Sequence, residues 1–112
     1  MLSYLTTLVP VVILPIMPAK LMLSERHALS EVSFVELVVW LLPSPLPGSS
    51  HDFKYRLAFV KNGICVLRYD NEAGKGDHTH KGGEEFPYHF ISPQILLNDF
   101  WHDVDTWRSR YA

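Results

Sequence analysis

Between Glu31 and Leu42, valine, leucine and aromatic residues crowd together in two half-alternating phases, Val32 with Phe34 and Leu37 with Val39. Such a run predicts a strand covered on most of both faces. It stops at Pro43, where the tract PSPLPGSS contains three prolines and a glycine and cannot donate a regular ladder, so a loop of about eight residues follows. That loop reads as a crossing connection, not as a linker. Upstream, Ala19 to His27 is mixed, with Leu21 and Leu23 on one side and Lys20 and Met22 on the other, which predicts an edge strand.

The clearest local signal is Asn62-Gly63, flanked by Phe53 to Lys61 and Ile64 to Asp70. Both residues tolerate positive φ, the requirement of a two-residue hairpin. An unbroken ladder from that turn sets Arg56 opposite Tyr69, Ala58 opposite Leu67 and Val60 opposite Cys65. Lys54, Arg56 and Tyr69 then share one face, and Phe53, Tyr55, Leu57 and Phe59 form the core face. Arg68 falls on that apolar side, a conflict that a bulge or an edge position relieves. Glu85 to Phe90 predicts a further short strand. Ser92 is a good N-cap with Pro93 in the first helical position. Leu96, Leu97, Phe100, Trp101, Val104 and Trp107 then recur at helical spacing, with Asn98, His102, Asp105 and Ser109 away from them. The expected fold is α+β, an antiparallel sheet of about five strands packed against one C-terminal helix, with no internal repeats.

Residues 1–16 stand apart as a hydrophobic extension, leaving 17–112 as the single domain. Leu2 to Pro18 carries no charge, and Pro10, Pro15 and Pro18 interrupt it, which suits neither a spanning helix nor a secretory signal. The extension reads as an over-extended reading frame with translation starting at Met17; a packed hydrophobic arm and a membrane-associated segment are the alternatives. No stable membrane association is expected.

At 112 residues and 47% hydrophobic composition, one compact core is affordable. A formal charge of −2 supplies no whole-protein basic field, so any nucleic-acid contact must use a local patch. The single cysteine, Cys65, excludes an internal disulfide and a thiolate zinc cluster, and fits a reducing cytoplasm.

One segment has a composition that no core requires. From Tyr69 to Gly83, read as a loop, glycines alternate with lysine, histidine and carboxylates in YDNEAGKGDHTHKGG. Glycines let backbone amides approach an anion, lysine offers a point charge, and histidine exchanges protons near neutral pH. Phosphodiester chemistry is the favoured reading, with Lys54 and Arg56 nearby. Three other readings compete with it. A solvated surface loop needs no function. A metal held by His78 and His80 with Asp77, Glu72 or His89 rests on a lone H-x-H. A GxxxxGK phosphate loop is excluded by the glycine spacing. His27, His51 and His102 read as surface residues, Cys65 as a buried small hydrophobe, and Trp40, Trp101 and Trp107 as core or interface aromatics.

The string FKYRLAFVKNGICVLRYDNEAGKGDHTHKGGEEFPY, with the IxxLLNDFWHDVDTWR helix and the PxPxPGS loop, resembles the TumE-type toxins of bacterial toxin-antitoxin operons from about Met17 to Arg108. The resemblance implies a cytoplasmic toxin whose partner is a cognate antitoxin, commonly one with a helix-turn-helix domain. The family pattern falls on Lys54, Tyr55 and Arg56, then on Tyr69, Asp70, Asn71, Glu72, Gly74, Lys75, Gly76, Asp77, His78 and His80. Thr79 stands where the commonest form has arginine; Lys81 partly replaces that charge.

The function expected is an RNA-directed toxin, a metal-independent ribonuclease with no cofactor. His78 and His80 would be acid and base, Lys75 with Lys54 and Arg56 would stabilise phosphorane charge, and Asp77 would orient a histidine. Tyr69, Asp70, Asn71, Glu72, Gly74, Gly76 and Lys81 complete the substrate-binding set. The rivals are a non-enzymatic binder whose loop docks a protein target or the antitoxin, and a metal-dependent enzyme. A likeness in architecture to small RelE-like and barnase-like ribonucleases is analogy at the level of fold only.

Overall fold

The computed structural model describes residues 18–111. The N-terminal extension of residues 1–16 and the expected translation start at Met17 lie outside the described residues. Six strands follow one another across a single antiparallel sheet: β1 (Lys20–Ala28), β2 (Ser33–Leu41), β3 (Phe53–Lys61), β4 (Ile64–Glu72), β5 (Gly76–Lys81) and β6 (Glu84–Pro87). The helix α1 (Pro93–Tyr111) closes the described chain. The α+β class, the Asn62-Gly63 hairpin and the C-terminal helix are as expected. The proline-rich loop joins neighbours, since β2 pairs directly with β3, and it does not cross the sheet.

The strand beyond the expected five is β5, cut from the segment read as a loop. Its glycines sit at the turns, with Gly74, Gly76, Gly82 and Gly83 all at positive φ. The Asp77–Lys81 stretch between them pairs along β4 from Asn71↔Asp77 to Leu67↔Lys81. Polar side chains on both faces conceal this alternation from a hydrophobic pattern.

A second correction concerns register. β3 and β4 begin as expected, with Lys61 opposite Ile64 and Val60 opposite Cys65, but the next pair is Phe59 with Leu67. Val66 is therefore an extra residue, a β-bulge that moves every later side chain of β4 to the other face. Arg56 consequently faces Asp70, not Tyr69, and Ala58 faces Arg68, not Leu67. The physical cause is the core: the shift lets Leu67 and Tyr69 join Leu57 and Phe59 in burial, and it turns Arg68 off the apolar side.

The core lies between one sheet face and α1. Val35, Leu37, Val39, Tyr55, Leu57, Phe59, Leu67 and Tyr69 meet Leu96, Phe100 and Val104. Each fully buried Leu or Phe contributes about 1.5–3 kcal/mol by leaving water. Ser92 caps the helix by accepting the Ile95 amide at 3.2 Å. Asp103 then ties α1 to the sheet, accepting from the Tyr69 hydroxyl and holding Lys81 Nζ at 2.9 Å.

Candidate functional site

The bulge decides what occupies the sheet face turned away from α1. Across β3, β4 and β5 the registers run Arg56–Asp70–His78 and Ala58–Arg68–His80, and Glu85 of β6 lies opposite His80. Alternate strand residues share a face, so Lys54, Arg56, Arg68, Asp70, His78, His80 and Glu85 lie together there. Asp70 is the centre. Its Oδ2 is 3.0 Å from Arg68 Nε, and its Oδ1 is 3.2 Å from His78 Nε2 and 3.7 Å from His80 Nε2.

The two histidines are held differently. His78 is 3% exposed and directs Nδ1 at the Gly76 carbonyl, 3.0 Å away; a carbonyl only accepts, so Nδ1 carries the hydrogen. His80 is more open, and its Nε2 lies 2.9 Å from Arg68 Nη2. Guanidinium only donates, so this Nε2 is the acceptor. Glu85 Oε2 lies 3.6 Å from His80 Nε2 and 3.7 Å from Lys75 Nζ, which brings the β4–β5 turn to the same place. Among the described residues, the buried side-chain atoms left without a hydrogen bond are Arg68 Nε, Asp70 Oδ1 and His78 Nε2. All three belong to this cluster.

The helix-side face carries a second polar network. Asp77 Oδ2 accepts from His51 Nε2 at 2.6 Å and the Tyr55 hydroxyl at 2.8 Å, while Oδ1 accepts from Ser49 Oγ at 2.7 Å. His51 Nδ1 accepts the Phe53 amide at 3.1 Å, leaving Nε2 as the donor to Asp77. Phe90 stacks on the His51 ring with centroids 3.7 Å apart. Burial, and then the bond to Asp77, push the Tyr55 hydroxyl far above its ordinary ionisation range. Asn71 adds to the same anchor: Nδ2 donates to the Phe53 carbonyl at 2.7 Å and Oδ1 accepts the Tyr55 amide at 3.0 Å. Together these bonds staple the proline-rich loop to β4 and β5.

A family model described as Toxin TumE matches residues 19–108, which span all six strands and most of α1. The chain belongs to the TumE toxin family. No curated protein and no solved structure matches at a significant level. Family membership makes the chain the toxin of a toxin-antitoxin system, with a cognate antitoxin as its partner. Among the described residues no helix is long and apolar enough to cross a membrane.

The TumE motif is thus divided between the two faces of the sheet. Asp70, His78 and His80 gather on the outer face with Arg56 and Lys54, whose Nζ reaches the Asn71 carbonyl at 3.5 Å. Asp77, Asn71, Tyr69 and Lys81 lie on the helix side. Asp77 bonds His51 and lies on the face opposite His78 and His80. Gly74 donates its amide to the Pro47 carbonyl at 2.6 Å, and a Cβ on Gly76 would stand 2.9 Å from the Gly48 oxygen. Gly76 of the TumE toxin therefore serves a close backbone approach, whereas Gly74, with open space where a Cβ would stand and φ at 86°, serves the turn. Glu72 is exposed at the end of β4. Sequence reasoning missed Arg68, whose signal was its conflict with the apolar face, and His51 and Ser49, whose partner lies 26 and 28 positions away.

Proposed function

We propose that this TumE toxin arrests growth in the cytoplasm by cleaving RNA without a metal ion, at the outer sheet face around His80. The observation that supports this most is the convergence of Arg68, His78 and His80 on Asp70, with Lys54 and Arg56 on the same sheet face. Three of these are permanent cations and two are proton-transfer groups, the parts that an in-line displacement at phosphorus uses.

The phosphate draws the Arg68 guanidinium off His80, and the freed Nε2 takes the proton of the 2′-hydroxyl as the O2′–P bond forms. The P–O5′ bond breaks, and O5′ receives a proton from Nε2 of His78 in its doubly protonated form, which carries a hydrogen on both ring nitrogens and returns to the neutral Nδ1–H ring. The products are a 2′,3′-cyclic phosphate and a 5′-hydroxyl. Lys54, Arg56, Arg68 and Lys75 offset the charge that builds on the phosphorane, and Asp70 takes the orienting role expected of Asp77. A cognate antitoxin with a helix-turn-helix domain would silence the toxin by covering this face.

RNA integrity shortly after induction tests the reading. Fragmentation by the wild type and intact RNA with normal growth in the folded His78→Ala/His80→Ala variant are expected. Full toxicity of that variant would end the mechanism. The rival, a binder that docks a protein target, is favoured by the anchoring roles of Asn71, Gly74, Gly76 and Asp77. It predicts growth arrest with RNA intact.

A further inference from the structure

The metal-ligating atoms of Asp70, His78 and His80 all lie within 4.8 Å of one another. Two donors bound to one ion at about 2.0–2.2 Å stand roughly 3–3.5 Å apart, and Asp70 Oδ1 is 3.2 Å from His78 Nε2 and 3.7 Å from His80 Nε2. Asp70 Oδ1 and His78 Nε2 are buried without a hydrogen-bonded partner among the described residues. With the Nδ1 hydrogen of His78 directed at the Gly76 carbonyl, the neutral ring turns its Nε2 lone pair toward a carboxylate oxygen. Two acceptors facing each other repel. A cation between them removes the repulsion, and a backbone carbonyl on the remote ring nitrogen is the usual way a ligating histidine is oriented.

We infer that Asp70, His78 and His80 form a site for one divalent transition-metal ion, with Zn²⁺ the best match to two imidazoles and a carboxylate. Arg68 is its internal competitor. The guanidinium bonds His80 Nε2 at 2.9 Å and lies 3.0 Å from Asp70 Oδ2, so an ion must displace it from His80. Asp70 takes the place that the alternative metal reading of the sequence offered to Asp77, Glu72 or His89. The metal site stands on geometry alone. Its consequence rests on the proposed RNA cleavage: the ion takes the nitrogen lone pairs that acid-base chemistry uses, so metal occupancy inhibits.

Metal-free full-length protein titrated with Zn²⁺ in a calorimeter, with circular dichroism to verify folding, tests the site. One equivalent per chain is expected, weakened about tenfold or more in His78→Gln and in His80→Ala. Arg68→Ala should bind more tightly. Absence of saturable binding, or equal affinity in the folded histidine variants, overturns the site; weaker binding by Arg68→Ala overturns the competition. Adding Zn²⁺ to an RNA cleavage assay should slow the wild type, and acceleration would contradict inhibition. If the metal-free protein leaves RNA intact, the cleavage reading falls while the titration still judges the site.

Discussion

Arg68 Nη2 lies 2.9 Å from His80 Nε2 across the β4–β5 ladder. An arginine that donates to the proposed base both hides it and stands ready to bind the phosphate that would uncover it. His80→Ala should slow RNA cleavage by the purified toxin about 10²–10⁴-fold, the usual contribution of a general acid or base. Arg68→Lys keeps the charge and loses the two-point grip, so its larger effect should fall on KM. Steady-state rates on a defined RNA check both.

The bulge at Val66 is a second test. Deleting Val66 restores an unbroken ladder from Asn62-Gly63 and sends Leu67 and Tyr69, now 4% and 3% exposed, to the outer face. The loss of two large core side chains exceeds what a small domain tolerates, at about 2–5 kcal/mol for each. The deletion variant should show no cooperative unfolding transition in urea, whereas Val66→Ala should keep one.

Asp77 makes three side-chain hydrogen bonds to Ser49, His51 and Tyr55. Removing that acceptor leaves buried donors unpaired, so Asp77→Ala should cost about 3 kcal/mol of stability. Proteolysis should then open the chain between Pro43 and Asp52. Below its melting temperature the variant should keep the Arg68–His80 face and hence its cleavage rate.

Alkaline pH should destabilise the fold. Burial, followed by the bonds to Asp77 and Asp103, raises the Tyr55 and Tyr69 hydroxyls well above their ordinary value of about 10. Above that pH the unfolded chain has released protons that the native state still holds, so stability is full below about pH 10 and declines as pH rises. Urea midpoints from pH 8 to 11 should fall, and Tyr55→Phe should flatten the slope.

Much of the scaffold was legible because its signals are local. Asn62-Gly63 forces a tight turn, Ser92-Pro93 starts a helix, and Leu96, Phe100 and Val104 recur at helical spacing. The site was legible in composition and not in geometry. One inserted residue, Val66, exchanged Tyr69 for Asp70 on the face shared with Arg56, and no local rule announces which residue a strand will bulge. β5 was hidden because its two faces are both polar: His78 and His80 on one, Asp77 and Thr79 on the other. The bond from His51 to Asp77 joins positions 26 apart, so it exists only once β3, β4 and β5 are assembled.

RNA cleavage at the outer sheet face turns on the chemistry at His80. The most direct measurement is the structure of RNA ends produced by purified, chelator-treated toxin. The proposed cleavage predicts 2′,3′-cyclic phosphate and 5′-hydroxyl ends from the wild type, the same ends formed at least about 10²-fold more slowly by folded His80→Ala, and no cut at a 2′-deoxy position. Intact RNA under conditions where the same preparation arrests growth, or cleavage of the 2′-deoxy substrate, would contradict it.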